Sequence, residues 1–235
     1  MRLRACLGAL CLAAALLLAG CGGSEGAPSD ATLAVYVSVP LSGADAREGL
    51  AVADGARAAL DDAGGEAAGI EVKVVVADSG PGVSGGQKGS EATLAAGNAR
   101  QATEHSNAIA YIGEVDSAAT RASLPVTNQA GLLQISPRAG ARDLVAPFEG
   151  SEDVPAKTQP SGERTFGTLA DLKGDPEELG AEAMRLVLSS IEAADDPLDR
   201  ASVVDAFFGL GSVASPLGDY EVDALGQAQL SAEGP

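Results

Sequence analysis

The chain has 235 residues, 46% of them hydrophobic and 20% charged, a balance that fits a folded globular protein and not a disordered one. Fifteen Lys and Arg stand against 33 Asp and Glu, and the formal charge of −18 excludes a general nucleic-acid binder, which needs a basic surface. Three cysteines cannot build a disulfide framework. The absence of Trp, with only 3% aromatic residues, argues against an aromatic-lined carbohydrate or quaternary-amine site.

Arg2 and Arg4 precede an apolar run from Ala5 to Leu18, which closes on Leu18-Ala19-Gly20-Cys21. The run is shorter than the ~20 residues a spanning helix needs, so residues 1–20 read as a signal peptide. Its end resembles the bacterial lipobox. That resemblance implies a lipid on Cys21, which becomes the first residue of the mature chain, while Cys6 and Cys11 leave with the signal. The alternative is an ordinary secretory signal with a cysteine after it. Residues 21–32, rich in Gly, Ser and Ala, read as a flexible tether. The expected place is the outer face of the bacterial cytoplasmic membrane, where lipid holds an acidic body that anionic headgroups repel.

The body, residues 33–235, alternates strands and helices. Leu33 to Val39, Ile70 to Ala77, Ala108 to Ile112 and Leu132 to Ile135 are the near-continuous apolar runs of buried parallel strands. Leu50, Ala53, Ala56 and Leu60 have helical spacing and stop at Gly64-Gly65. A second helix is expected from an Ser90 cap to Glu104, and a third from near Ser117 to before Gly131. An exposed connection is expected over 146–165, where Pro, Gly, Ser and acids show no period. Asp175-Pro176-Glu177-Glu178 then offers a cap, a proline at the first helical position and two acids at the positive helix end. A shorter helix spans Asp199 to Phe208, and a strand is expected at Tyr220 to Val222. The fold class is α/β: a doubly wound, mainly parallel sheet with helices on both faces.

Val39-Pro40-Leu41-Ser42-Gly43, Tyr111-Ile112-Gly113-Glu114-Val115-Asp116-Ser117 and Ile135-Ser136-Pro137 follow successive strands. With Gly180 to Leu188 and Leu217-Gly218-Asp219-Tyr220, they resemble the first lobe of the type I periplasmic binding proteins of branched-chain amino-acid ABC importers. The resemblance implies a solute-binding protein that is not an enzyme, works with an ABC permease and needs no cofactor. In that family the chain leaves the first lobe after the Ser-Pro segment to build a second one. Here about forty residues with no strand-helix succession separate Pro137 from Asp175, so the expectation is a single lobe that holds its ligand weakly.

Ligands of such a lobe sit beyond the carboxyl ends of the strands, at Pro40–Asp45, Glu114–Thr120 and Ser136–Ala141. The candidate ligand-binding residues are Ser42, Ser117, Thr120, Arg138, Ala139 and Gly140. By the resemblance Ser117 and the helix-start amides hold a ligand carboxylate, with Thr120 adding a hydroxyl; Ser117 as a mere helix cap is the plainer alternative. Gly140 stands where the family commonly has a hydroxyl residue that helps hold the amino group. Asp116 opposes an anion, at a cost of about 4 kcal/mol for a like charge ~4 Å away at an effective dielectric of 20. Arg138 offers a compensating charge or is a solvated loop residue.

Other motifs carry less. The glycine-rich stretch from Gly80 to Ser90 lacks the contiguous Gly-Lys-Ser/Thr of a phosphate loop. His105 has no second His or Cys for a metal, and the Asp61-Asp62 and Asp195-Asp196 pairs lack calcium-loop spacing. The rival reading is a degenerate lobe acting as an interaction or sensor lipoprotein, self-associating through the exposed half-cleft. An apolar patch at the strand ends would favour it.

Overall fold

The computed structural model describes residues 31–80, 91–146 and 155–231. Cys21, the signal peptide, the tether up to Asp30, the Ser90 cap and all but Gly80 of the glycine-rich stretch lie outside them. Among the described residues no helix is long and apolar enough to cross a membrane.

The expected strands appear as β1 (Thr32–Val39), β3 (Ile70–Asp78), β4 (Ala108–Ile112) and β5 (Leu133–Ser136), all parallel. The sheet order is β2-β3-β1-β4-β5-β6, in which β2 (Glu66–Ala67) is a short antiparallel edge and β6 (Phe166–Thr168) a parallel one. The chain runs from β1 outward through β3, then returns to the other side of β1 as β4. Right-handed crossovers therefore place α1 (Ala46–Asp62) on one face and α2 (Glu91–Glu104) and α3 (Ser117–Gln129) on the other. Strand β1 shows both layers: Leu33, Val35, Val37 and Val39 join the larger core with α1, while Ala34 and Tyr36 join a smaller one with Ala99, Ala102 and Tyr111.

Helix α5 (Pro176–Ala193) begins on the Asp175 cap, with Glu178 reaching back to complete a capping box. It packs along α1 so closely that glycine is required at the crossing. A Cβ on Gly180 would lie 2.1 Å from the Val52 carbonyl oxygen, and one on Gly55 1.9 Å from that of Glu177. Helix α6 (Arg200–Gly209) starts on Asp199, and Arg200 donates to the carbonyls of Ala108 and His105 at 2.9 and 3.1 Å, fastening it to the lower edge of the sheet. The chain closes in an antiparallel sheet of β7 (Ser212–Val213), β8 (Tyr220–Val222) and β9 (Ala228–Leu230). Its anchor is Tyr220, whose hydroxyl donates at 2.7 Å to the buried Glu182 of α5. Burial and the neighbouring Glu182 charge hold that phenol well above its ordinary pKa.

The expectation of an exposed connection over 146–165 needs correction at its end. Thr158, Gln159 and Thr165 are buried. Thr158 and Gln159 donate to the carbonyls of Asp143 and Leu144 around the short α4 (Arg142–Val145), at 3.0 and 3.1 Å. This polar segment satisfies helix-end carbonyls and then feeds β6, which no apolar run announces.

Candidate functional site

The order of the sheet reverses between β1 and β4, and a crevice at such a reversal is where an open α/β sheet holds its ligand. Three loops frame it. The β1–α1 loop is tied to the end of β3 by Asp78, which accepts from the Leu41 and Gly80 amides at 2.8 and 2.7 Å. The Ser42 hydroxyl lies 3.0 Å from the same carboxylate and 3.1 Å from the Gly80 carbonyl, so it holds the loop in place. The β4–α3 and β5–α4 loops are joined by Ser136, whose hydroxyl donates to the Glu114 carbonyl at 2.5 Å and accepts from the Ala139 amide at 2.7 Å.

The start of α3 differs from the expectation. Its N-cap is Asp116, not Ser117: one Asp116 oxygen accepts from the Ala118 and Ala119 amides, at 2.5 and 3.1 Å. The helix-start amides assigned to a ligand carboxylate are thus occupied by a carboxylate of the chain itself. Asp is as strong an N-cap as Ser, so the local sequence did carry this signal. Ser117 is half-buried, and its hydroxyl accepts from the Ala141 amide at 3.3 Å across the crevice wall. Thr120 is fully buried and donates to the Asp116 carbonyl at 2.7 Å, one turn back in its own helix. Ala139 is buried, its carbonyl accepting from Thr168 at 2.8 Å. Gly140 cannot be exchanged for a hydroxyl residue without displacement, because a Cβ there would lie 2.5 Å from the Ala170 methyl. Arg138 pairs with Glu48 of α1 at 3.3 Å. The fold thus gathers Ser42, Ser117, Arg138, Ala139 and Gly140 at one end of the sheet and leaves the Thr120 hydroxyl inside helix α3.

Sequence reasoning missed the buried polar group behind this loop. Glu114 is wholly buried and accepts from the Tyr111 hydroxyl at 2.6 Å and the Ser38 hydroxyl at 3.0 Å, the latter in turn accepting from Asn98 of α2. Burial pushes its carboxyl up to about 7, against the opposing pull of those hydrogen bonds. In front of it, burial together with the charge and hydrogen-bonding reach of Asp116 pushes Glu91, the first residue of α2, up to about 7, with Asp45 adding to the effect. Among the described residues no group of three His, Cys, Asp or Glu has the geometry to hold a metal ion.

No protein-family model matches the sequence, and no curated protein matches it. Solved structures do. A branched-chain amino acid transporter substrate-binding protein from Streptococcus pneumoniae, in complex with isoleucine, aligns with 14% identity and a TM-score of 0.61 over 84% of this chain and 93% of its own. A leucine-binding protein from Thermotoga maritima aligns with 15% identity and a TM-score of 0.60, over 83% and 93%. A solute-binding protein of an ABC transporter from R. palustris, in complex with benzoate, gives 15% and 0.61, over 84% and 91%. At these identities the likeness establishes the fold and nothing finer: the chain carries a doubly wound, mainly parallel α/β lobe of the periplasmic-binding-protein fold, with helices on both faces of the sheet.

Proposed function

We propose that the protein is a lipid-anchored extracytoplasmic solute-binding lobe of an ABC importer for a small amino-acid-like solute, reduced to one lobe and without catalytic activity. The observation that carries this reading is the crevice at the β1/β4 reversal, framed by three cross-braced loops on a fold shared with solute-binding proteins. A cognate permease is the expected partner. Because one lobe covers a ligand from one side only, binding is expected to be weak. The interaction-module reading gains no support from the surface: the large exposed hydrophobics among the described residues are Leu50, Leu198 and Leu230, and none lies on the crevice loops.

Anchoring through Cys21 is tested by Cys21→Ser, which moves the protein from the membrane fraction to the soluble one. Unchanged fractionation with membranes excludes the lipid anchor. The soluble variant then serves for calorimetry. Leucine binds no tighter than ~1 mM, about −4 kcal/mol, and Asp116→Asn strengthens the binding of an anionic ligand by removing the opposing charge. Micromolar leucine affinity in the unmodified crevice would overturn the weak half-site.

A further inference from the structure

Glu114 stands where the core meets the crevice. It is wholly buried, whereas the next three residues of the β4–α3 loop, Val115, Asp116 and Ser117, are half-buried. Its side chain and its backbone hold different parts of the wall. The carboxyl accepts from Tyr111 of β4 at 2.6 Å and from Ser38 of β1 at 3.0 Å, and Ser38 in turn accepts from Asn98 of α2 at 3.0 Å. The backbone carbonyl accepts from Ser136 of β5, and the Gly113 carbonyl before it accepts from Gln134 of β5 at 2.8 Å. One residue thus links β1, α2, β4 and β5 at the crevice end of the sheet.

The carboxyl has no cation to pair with. Among the described residues no Lys, Arg or His forms an ion pair with it. Strands β1, β3 and β4 face it with the hydroxyls of Ser38, Ser79 and Tyr111. The charged group that acts on it is an acid, Glu91 of α2, and Asp116 at the start of α3 acts on Glu91. Asp78 at the end of β3 is turned to the Leu41 and Gly80 amides, and Arg121 of α3 is held by Asp143. A carboxylate taken out of water without a cation is strongly disfavoured, and hydroxyl donors offset only part of that.

We propose that the β4–α3 loop is a proton-controlled gate of the crevice: protonated Glu114 keeps the loop closed on its cluster of hydroxyls, and ionised Glu114 drives the loop open to reach water while the rest of the lobe stays folded. The protonated carboxyl fits the closed cluster, because its O–H donates to one hydroxyl oxygen while its other oxygen still accepts. In the closed loop Glu114 keeps its proton up to about pH 7, whereas a hydrated glutamate titrates near 4.3. Between these values each unit of pH multiplies the open population by up to about ten, and above about pH 7 the rise stops. The α3 wall of the crevice is therefore formed in acid and loosened toward neutrality, whichever solute the crevice takes.

The test is amide hydrogen exchange on the soluble Cys21→Ser chain between pH 5 and pH 7, corrected for the intrinsic pH dependence of exchange. The hydrogen-bonded amides of Gly113, Ala118, Ala119 and Thr120 report on the loop, and those of Val35 to Val37 in β1 report on global unfolding. The loop is expected to open more readily than β1, by a constant that rises at least tenfold from pH 5 to pH 7 and is insensitive to urea below the unfolding transition. Glu114→Gln is expected to abolish the rise and Glu91→Gln to retain most of it. Loop exchange that is flat with pH, or that matches β1 in rate and urea sensitivity, overturns the gate, as does an undiminished rise in Glu114→Gln. If Glu114→Gln does not fold, the pH and urea profiles of the chain with Glu114 intact decide by themselves.

Discussion

Gly180→Ala is expected to destabilise the protein by about 3 kcal/mol or more, read as a lowered midpoint in urea unfolding. The added Cβ would sit 2.1 Å from the Val52 carbonyl oxygen, well inside van der Waals contact, and the obstacle is backbone, which has no rotamer to change. The helices must therefore move apart. Helix α5 is held on its other sides by buried Leu179, Met184, Leu186, Val187 and Ile191, so separation opens voids along the largest core. Alanine's better helix propensity, about 1 kcal/mol, offsets only part of this. Gly97→Ala in α2 is the control: nothing lies within 4 Å of its added Cβ, so it is expected to be neutral or stabilising by up to about 1 kcal/mol. Equal effects at the two positions would refute the close α1–α5 crossing.

The second large effect is a stability that increases as the solution is acidified from pH 8 to pH 5. Glu114 is pushed up to about 7 in the folded protein by burial, whereas a glutamate in the unfolded chain titrates near 4.3. Between these values the folded state binds more protons than the unfolded one, so stability falls as pH rises, and the loss is complete above about pH 7. For a fully buried carboxyl this amounts to on the order of 3 kcal/mol. Glu91 shifts in the same direction, but it is half-exposed and solvent screening leaves it a minor contributor. In Glu114→Gln an amide can still meet Tyr111 and Ser38, and most of the slope between pH 5 and pH 8 is expected to vanish. A variant with the wild-type slope would show that Glu114 is ionised in the folded protein and compensated by its hydroxyl partners.

Much of the fold was legible in sequence for a definite reason. Strands buried on both faces must be apolar without alternation, which is what Leu33 to Val39 and Ala108 to Ile112 display. Helix starts depend on neighbours within one turn, so Asp175-Pro176-Glu177-Glu178 and Asp199 announced α5 and α6 correctly. The same logic, applied to Asp116 and Ser117 together, would have found the α3 cap. Reading Asp116 only as an opposing charge obscured its role as the helix's own anion.

What the sequence by itself determined, then, was everything that depends on periodicity or on contacts within one turn: the doubly wound lobe, its main elements and the loops of the crevice. Tertiary structure alone decided the rest. Phe166 to Thr168 become β6 because β5 presents an edge for them to pair with, not because three residues have a preference of their own. Glu114 is buried because Ser38, Asn98 and Tyr111 converge on it from β1, α2 and β4. Glu91 feels the charges of Asp116 and Asp45, far from it in sequence, and its carboxyl is pushed up by burial and by them only after the crossovers bring these chain segments to the same end of the sheet. The charge of a crevice is a sum over such loops, and linear spacing does not encode which of them meet.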